Sequence, residues 1–301
     1  MRRSATIRNR VAAAIAVAAA LAVSAPVRAA EKPSSVASIN LCADELVLRL
    51  AEPGQVTSVT WLARDSLASS VTDRARGVAV NRGLAEEIVP LSPDLVIAGV
   101  YTTRMTVTFL KRLGIPVMDL GVPATMDEVR DQIRQVAAAL GNERAGEALI
   151  GELDAAIPAQ PADSDIVKPT ALVLRPNGFT AGRGSLVDDL LTRAGLVNLA
   201  AELQTDGLGQ LPLERIVEAR PDVLIINADP DAPASMAQAL LDHPALADLK
   251  ETATVVEVPT RMWICAGPQL VEAMAILKAG AERARVRLAA KHGAASYEVV
   301  N

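Results

Sequence analysis

Residues 86–97 read EEIVPLSPDLVI, and residues 214–225 read ERIVEARPDVLI. Each copy starts with a glutamate, continues through Ile-Val on a short helix, and reaches Pro-Asp and an apolar run. The proline ends the helix, and a run that is apolar on both faces is typical of a strand that helices cover on both sides of a parallel sheet. The copies are 128 residues apart, whereas solenoid repeats recur every roughly 20 to 50 residues. The repeat therefore predicts a duplicated domain.

Strand and helix patterns alternate around each copy, which is typical of an α/β fold. A chain of 301 residues is long enough for two such units. We predict two similar α/β lobes with mostly parallel sheets, over 36–121 and 168–260. The span 122–160 has helical periodicity and no strand pattern, and we interpret it as a helical connector. A terminal helix is predicted over 266–291, with Pro268 at its first position.

The first 29 residues have the pattern of a secretory signal peptide. Four arginines precede an apolar stretch from Val11 to Val23, and small residues at positions 27 and 29 mark a cleavage site. A retained membrane anchor would need a longer apolar stretch. No cysteine follows closely enough to be lipidated, because Cys42 lies well beyond the cut. We predict a soluble exported protein, located in the periplasm in a bacterium.

Composition and charge exclude several function classes. The net charge is −5, and removal of the five arginines in 1–29 takes it to about −10, which disfavours nucleic acid as a partner. The two histidines, His243 and His292, are interpreted as surface residues, so the sequence offers no zinc site and no Ser-His-Asp triad. We predict no catalytic activity, no cofactor and no metal ion of the protein's own.

Several stretches, taken in order, resemble the periplasmic substrate-binding proteins of vitamin B12 and ferric-siderophore ABC importers. They are SINLCADEL at 38–46, VTW at 59–61, both repeat copies, AGRGSL at 181–186 with Asn198, and the helix after Gly267. The resemblance covers nearly the whole chain after the signal peptide. It implies two lobes joined by one long rigid helix, a ligand cleft between them and a small hinge motion on binding.

The resemblance also implies a function. Such a protein captures a small-molecule metal chelate, here a ferric siderophore or a corrinoid, and delivers it as a monomer to an ABC permease and its ATPase. A haem receptor and a chelatase-like enzyme on the same scaffold are the alternatives. Chelatase chemistry needs metal ligands and a proton acceptor, and the predicted cleft stretches contain neither a histidine nor an obvious carboxylate cluster.

Two glutamates carry the expected permease contact. In the family that the chain resembles, the glutamate at the head of each repeat phrase pairs with arginines of the permease, and the matching positions are Glu86 and Glu214. The alternative for each one is a solvated acid at a helix start, stabilised by the helix dipole. Their equivalent places in a duplicated unit favour docking.

Polar and aromatic residues follow the strands of both lobes, at the sheet edge where open α/β sheets bind ligands. Guanidinium groups suit anionic oxygens, and indole faces suit flat or apolar surfaces. The candidate ligand residues are Asn40, Trp61, Arg64, Arg82, Tyr101, Arg104, Arg175, Arg183, Arg261 and Trp263. About half of these arginines are expected to be ordinary surface residues. The others favour an anionic ferric siderophore over largely neutral cobalamin.

Tyr101 has two interpretations: its phenolate could coordinate ferric iron or haem, or the ring could pack at a loop edge. Cys42 and Cys265 complete the candidate ligand residues, with one in each lobe. An oxidising compartment favours a disulfide between them, although a bond between lobes would restrain opening. Two buried thiols, or thiols that contact the ligand or a metal, are the alternatives.

Overall fold

The computed structural model describes residues 32–102, 104–157, 166–203, 207–226, 241 and 243–298, with side chains up to residue 291. The predicted signal peptide, the loop 229–233 and most of a helix predicted at 234–241 lie outside these residues. None of the helices in the described ranges combines the length and apolar character needed to cross a membrane.

The first sheet is wholly parallel and has the strand order β3-β2-β1-β4-β5. Its strands are β1 (Val36–Ser38), β2 (Val56–Thr60), β3 (Ala79–Asn81), β4 (Leu95–Gly99) and β5 (Val117–Leu120). The helices between them are α1 (Leu41–Leu50), α2 (Ala85–Ile88) and α3 (Arg104–Arg112). All of these elements fall within the stretch predicted for the first lobe.

The second sheet is also parallel, with the order β11-β10-β6-β8. Its strands are β6 (Thr170–Leu174), β8 (Val197–Asn198), β10 (Val223–Ile226) and β11 (Thr254–Glu257). Its helices are α6 (Leu186–Arg193), α7 (Leu199–Glu202), α8 (Leu213–Ala219) and α9 (Ala247–Thr252). The mostly parallel α/β architecture predicted from the repeat is confirmed.

A small antiparallel ribbon lies beside the second sheet. Its strands are β7 (Phe179–Ala181) and β9 (Leu208–Gln210), which pair with each other alone. Residues 175–184, which have no strand pattern in the sequence, thus contain a strand. Strands of three residues are too short to show an alternating pattern in the sequence.

The two repeat copies have the same local structure. Each short helix ends in a left-handed residue two positions before the aspartate: Ser92 has φ 46° and Arg220 has φ 42°. The strand that follows is β4 in one copy and β10 in the other. β4 lies between β1 and β5, and β10 lies between β6 and β11, so the copies occupy equivalent places in their sheets.

The connector consists of two helices, α4 (Met126–Leu140) and α5 (Glu143–Ala156). They pack antiparallel around a turn at Gly141, and Gly146 lies so close to Ala137 that an added Cβ would come within 2.6 Å of it. The resemblance implied one long helix, but this segment has a helical hairpin. Asn142, just before α5, makes no side-chain capping bond, and its Nδ2 donates to Leu50 O at 2.7 Å.

Alternate residues of the central strands lie in different cores, as the two-residue period of a strand requires. In β4, Ile97 faces one hydrophobic cluster, while Val96 and Ala98 face another. In β10, Ile225 and Leu224 divide in the same way. One face of both sheets therefore belongs to a single cluster, which also contains α4 and the terminal helix α10 (Leu270–Glu298).

This shared cluster means that the halves of the chain are not separated by solvent along their inner faces. From Pro33 onward the chain is one compact unit. A large opening of the two halves would expose buried apolar surface, at about 25 cal/mol per Å². Helix α10 starts at Leu270, two residues after the predicted first position, Pro268.

Candidate functional site

The carboxyl ends of the strands position the predicted site residues. Asn40 follows β1 and caps α1, because its Oδ1 accepts hydrogen bonds from Cys42 N at 3.0 Å and from Ala43 N at 3.3 Å. Gly99 at the end of β4 packs against the Asn40 side chain, and a Cβ there would come within 2.6 Å of Nδ2. Asn40 is thus held in place by a helix start and a neighbouring strand end.

Cys42 and Cys265 form a disulfide. Cys42 lies in the first turn of α1, beyond the carboxyl end of β1, and Cys265 lies in the loop beyond the carboxyl end of β11. The alternatives for Cys42 and Cys265 were a disulfide or two thiols, and the structure shows the disulfide. The bond joins the corresponding edges of the two sheets, so the loops that follow their strands meet around it.

The two tryptophans differ sharply in exposure. Trp61, directly after β2, is 50% exposed, whereas Trp263 is only 3% exposed and belongs to the shared hydrophobic cluster. Tyr101, after β4, is 89% exposed. Trp61 and Tyr101 therefore present aromatic surface to solvent, and Trp263 is a packing residue.

Two of the predicted arginines are tied to the backbone. Arg64 donates to Val78 O at 2.6 Å and to Ala75 O at 3.4 Å, and Arg183 donates to Ala201 O at 2.9 Å. Arg82 and Arg104 are exposed, and Arg261 is half-buried. Of these five arginines, two are thus already occupied by backbone carbonyls.

Arg175 differs from those five. It follows β6, and its Cζ lies 5.6 Å from the centroid of the Trp263 ring, within the range of a cation–π contact. Burial lowers the pKa of Arg175. This pair is the one contact between predicted ligand residues of different loops, apart from the disulfide, among the residues described.

Asp44 is a functional candidate that the sequence analysis missed. Its fully buried carboxylate, in the first turn of α1, accepts hydrogen bonds from the backbone N and the hydroxyl of Thr60. Burial raises the pKa of Asp44 to about 7. Because Thr60 immediately precedes Trp61, Asp44 fixes the strand end that presents this indole.

Exposed apolar side chains at the second sheet were missed as well. Phe179 and Leu208 lie on the β7–β9 ribbon and Ile264 lies next to the disulfide, and all three are exposed, Leu208 by 65%. Phe179 is one of only two phenylalanines in the chain. That scarcity was the signal in the sequence that could have singled it out.

A separate cavity of about 680 Å³ lies between the connector and α6. Its charged lining is paired, with Arg130–Asp154 at 2.7 Å and Arg193–Asp189 at 2.8 Å, and Asp189 also accepts from Met126 N. None of the predicted ligand residues lines it. We interpret these contacts as the junction between the connector and the second lobe.

No metal-binding group of three or more His, Cys, Asp or Glu side chains occurs within the described ranges. His243 is exposed, and its Nδ1 accepts from Ala245 N at the start of a helical turn. The side chain of His292 lies outside the described residues.

Glu86 and Glu214 occupy the same position in their helices, the second residue of α2 and of α8. Both are exposed, and neither has an ion pair or hydrogen bond with any residue that the structure describes. The neighbouring Glu87 behaves differently: its Oε2 accepts from Arg82 N at 2.6 Å and from Leu84 N at 3.4 Å. The side chains of Glu86 and Glu214 therefore do not cap their own helices.

Comparison with known proteins agrees with this architecture. A cobalamin-binding protein of Halobacterium salinarum is 28% identical over 251 residues, which span 81% of this chain and 68% of the relative. The apo form of the periplasmic heme-binding protein RhuT from Roseiflexus sp. RS-1 superimposes with a TM-score of 0.68 at 24% identity, over 84% of this chain and 99% of RhuT.

The periplasmic vitamin B12 binding protein BtuF of Vibrio cholerae superimposes with a TM-score of 0.64 at 16% identity, over 84% of this chain and 98% of BtuF. At these identities the solved structures show a common fold. The family model described as "Periplasmic binding protein" matches residues 36–254, which is most of the chain. The chain belongs to the periplasmic binding protein family.

Proposed function

We propose that this protein is the solute receptor of an ABC importer and that it captures a large metal chelate, a corrinoid or a ferric siderophore. The observation that carries the proposal is the Cys42–Cys265 disulfide, which joins the carboxyl edges of the two sheets. Ligands of open α/β sheets bind at this kind of edge. Ile264, which directly precedes Cys265, is exposed beside it.

Exposure and chemistry favour a ligand with a broad apolar face. Trp61, Tyr101, Phe179 and Ile264 all present apolar surface in loops or short elements near the strand ends. Large exposed apolar groups at such positions are typical of a binding surface. A corrin ring and the shell of a siderophore both have apolar faces that these side chains can cover.

Among metal chelates, these observations favour a corrinoid over a ferric siderophore. The number of arginines in the sequence favoured the opposite order. Arg64 and Arg183, two of the arginines behind that ranking, are committed to backbone carbonyls. The relative from Halobacterium salinarum is a cobalamin-binding protein. A ferric siderophore is the second choice.

Haem is a further candidate because of one residue. The Tyr101 ring is 89% exposed, and its phenol has no hydrogen bond with any described residue. A free phenolate can bind ferric iron. Replacement of Tyr101 by Phe would abolish the phenolate-to-iron absorption band of a haem complex, and it would leave corrinoid affinity unchanged.

We propose Glu86 and Glu214 as the contacts with the permease. Their identical helix positions, their exposure and the absence of partners in the described residues support this role. Two exposed acids on separate halves add little binding energy, but they orient the receptor and report the spacing of the halves.

The remaining parts of the proposal concern processing and assembly. Residues 1–29 are removed as a signal peptide, the mature chain works in the periplasm as a monomer, and it has no catalytic activity. The lobes span 36–121 and 168–260, with 122–160 as the connector and 266–291 as the terminal helix. Mass spectrometry of the periplasmic fraction would test the cleavage site after residue 29.

Ligand titration tests the main proposal. Purified mature protein is titrated by calorimetry with cyanocobalamin, a ferric hydroxycarboxylate, a ferric catecholate and haemin. We expect saturable binding of cyanocobalamin with one site per chain, and weaker binding after Trp61→Ala. Absence of binding to all four probes would overturn the proposed function, and binding of a siderophore alone would overturn the ranking.

A further inference from the structure

Arg175 is an arginine without a polar partner. Its side chain makes no hydrogen bond and no ion pair with any described residue. The guanidinium lies over the Trp263 ring, with Cζ 5.6 Å from the ring centroid. The Nε atom is buried and unpartnered. Arg64 and Arg183, in comparable places after strands, donate to backbone carbonyls.

This arrangement is costly in the absence of a ligand. Arg175 is half-buried, so part of its guanidinium loses hydration that hydrogen bonds to protein or ligand atoms must replace. The lowered pKa of Arg175 has the same cause, because burial disfavours the charged form. Trp263 also lacks a hydrogen-bond partner, since its Nε1 is buried without an acceptor among the residues described. An unmet donor of this kind in a native protein calls for an explanation.

The position of the pair suggests what is missing. Trp263 lies two residues from Cys265, and the disulfide brings this loop against Cys42 at the start of α1. A helix start carries partial positive charge from its free N–H groups. No acidic side chain pairs with Arg175 among the residues described. Within the described residues, the guanidinium of Arg175 is therefore available to a negative group.

We propose that Arg175, supported on the face of Trp263, receives an anionic oxygen group at the edge of the bound chelate. The group is a carboxylate or a phosphodiester, since the planar guanidinium matches both. Trp263 is a positioning residue that holds the guanidinium by stacking. This inference rests on the proposed function, because it assigns one contact within the same ligand site.

Paired probes test the contact directly. Each pair compares a ligand with and without its acidic group: haemin against haemin dimethyl ester, and cyanocobalamin against dicyanocobinamide, which lacks the phosphodiester together with the ribose and the base that it carries. For at least one pair we expect the native protein to prefer the acidic member by about 10- to 100-fold, the range of one charge-assisted hydrogen bond. In Arg175→Met this preference should disappear while affinity for the neutral member stays unchanged.

A stability measurement tests the inference without a ligand. If Arg175 waits for an anion, Arg175→Met should raise the melting temperature of the ligand-free protein, because it removes an unpaired buried charge and retains the apolar stem. Arg64→Met is the matched control, and it should lower the melting temperature because two backbone carbonyls lose their donor. A fall for Arg175→Met as large as that for Arg64→Met would overturn the proposal.

The two failures can be told apart. If both members of a pair bind equally well to the native protein, the Arg175 assignment is wrong and the receptor function stands. If no probe binds at all, the proposed function fails, and the melting temperatures alone then decide whether Arg175 is strained in the free protein. Equal losses of affinity for the acidic and neutral members in Arg175→Met would show a structural role and overturn the contact.

Discussion

Asp94 and Asp222 make the same contact in the two halves of the chain. The Oδ2 atom of Asp94 accepts hydrogen bonds from Ser34 and from Ser35 N, just before β1. The Oδ2 atom of Asp222 accepts from the backbone N and the hydroxyl of Thr170, at the start of β6. Asp94 precedes β4 and anchors the neighbouring strand β1, and Asp222 precedes β10 and anchors the neighbouring strand β6. The hydrogen bonds from Ser34 and Ser35 hold the pKa of Asp94 below its usual value.

We expect Asp222→Ala to lower the free energy of unfolding by about 1–3 kcal/mol, because it leaves the partly buried donors of Thr170 without an acceptor. Urea denaturation of the mature protein measures this loss. Asp73→Ala is the control, since the Asp73 carboxylate is 82% exposed and its ion pair with Arg76 is solvated. Equal stability of the two variants would contradict the anchoring role.

Asp44 should make stability depend on pH. Its pKa is about 7 in the folded protein and near 3.8 when unfolded, so between these values the native state holds a proton that the unfolded state has released. Stability contributed by this group is full below pH 4 and decreases as the pH rises to 7, by up to about 4 kcal/mol.

The variant Asp44→Asn cannot titrate, and we expect it to lose this part of the decline. Denaturation of both proteins at pH 5 and pH 8 gives the comparison. A smaller loss of stability between the two pH values in Asp44→Asn than in the native protein supports the assignment. Identical losses would show that the titration of Asp44 does not contribute to stability between these pH values, and would contradict the assignment.

The disulfide should contribute strongly to stability, because it closes a loop between residues 223 positions apart. We expect Cys42→Ser with Cys265→Ser to cost about 2–5 kcal/mol of unfolding free energy. The reductant TCEP should lower the melting temperature of the native protein and leave that of the double variant unchanged. An unchanged native protein in TCEP, with reduction confirmed by thiol titration, would refute this expectation.

Charge reversal tests the docking residues. Glu86→Lys with Glu214→Lys should abolish cyanocobalamin uptake by cells that depend on this receptor, while calorimetric affinity for cyanocobalamin remains unchanged. Glu143→Lys with Glu218→Lys makes the same change in net charge at other exposed glutamates and should retain uptake. A collapse of affinity in the first double variant would mean that the two glutamates belong to the ligand site.

Local patterns were sufficient for the repeat and the alternation of strands and helices. The phrase at 86–97 predicted α2 and β4, and its copy predicted α8 and β10, because helix periodicity, a proline and an apolar run act over a few residues. Short elements were harder. The β7–β9 ribbon depends on pairing between strands that are distant in sequence, and no local pattern announces it.

Side-chain partnerships explain why the candidate site was only partly predictable. Six arginines looked alike in the sequence, yet Arg64 and Arg183 bind carbonyls, while Arg175 stacks on Trp263 and has no acceptor among the described residues. The two tryptophans also looked equivalent, and one of them is buried. Which neighbours surround a side chain is decided by loops from other strands, so residue type and spacing cannot reveal it.

The sequence by itself determined the duplicated α/β units, because short-range sterics and burial periodicity are written into adjacent residues. Only the tertiary structure decided that Cys42 meets Cys265, that the inner faces of both sheets share one core, and that Arg175 stacks on Trp263 without a polar partner among the described residues. Those outcomes depend on contacts between segments more than 80 residues apart. Chain packing as a whole, and no single stretch, sets their geometry.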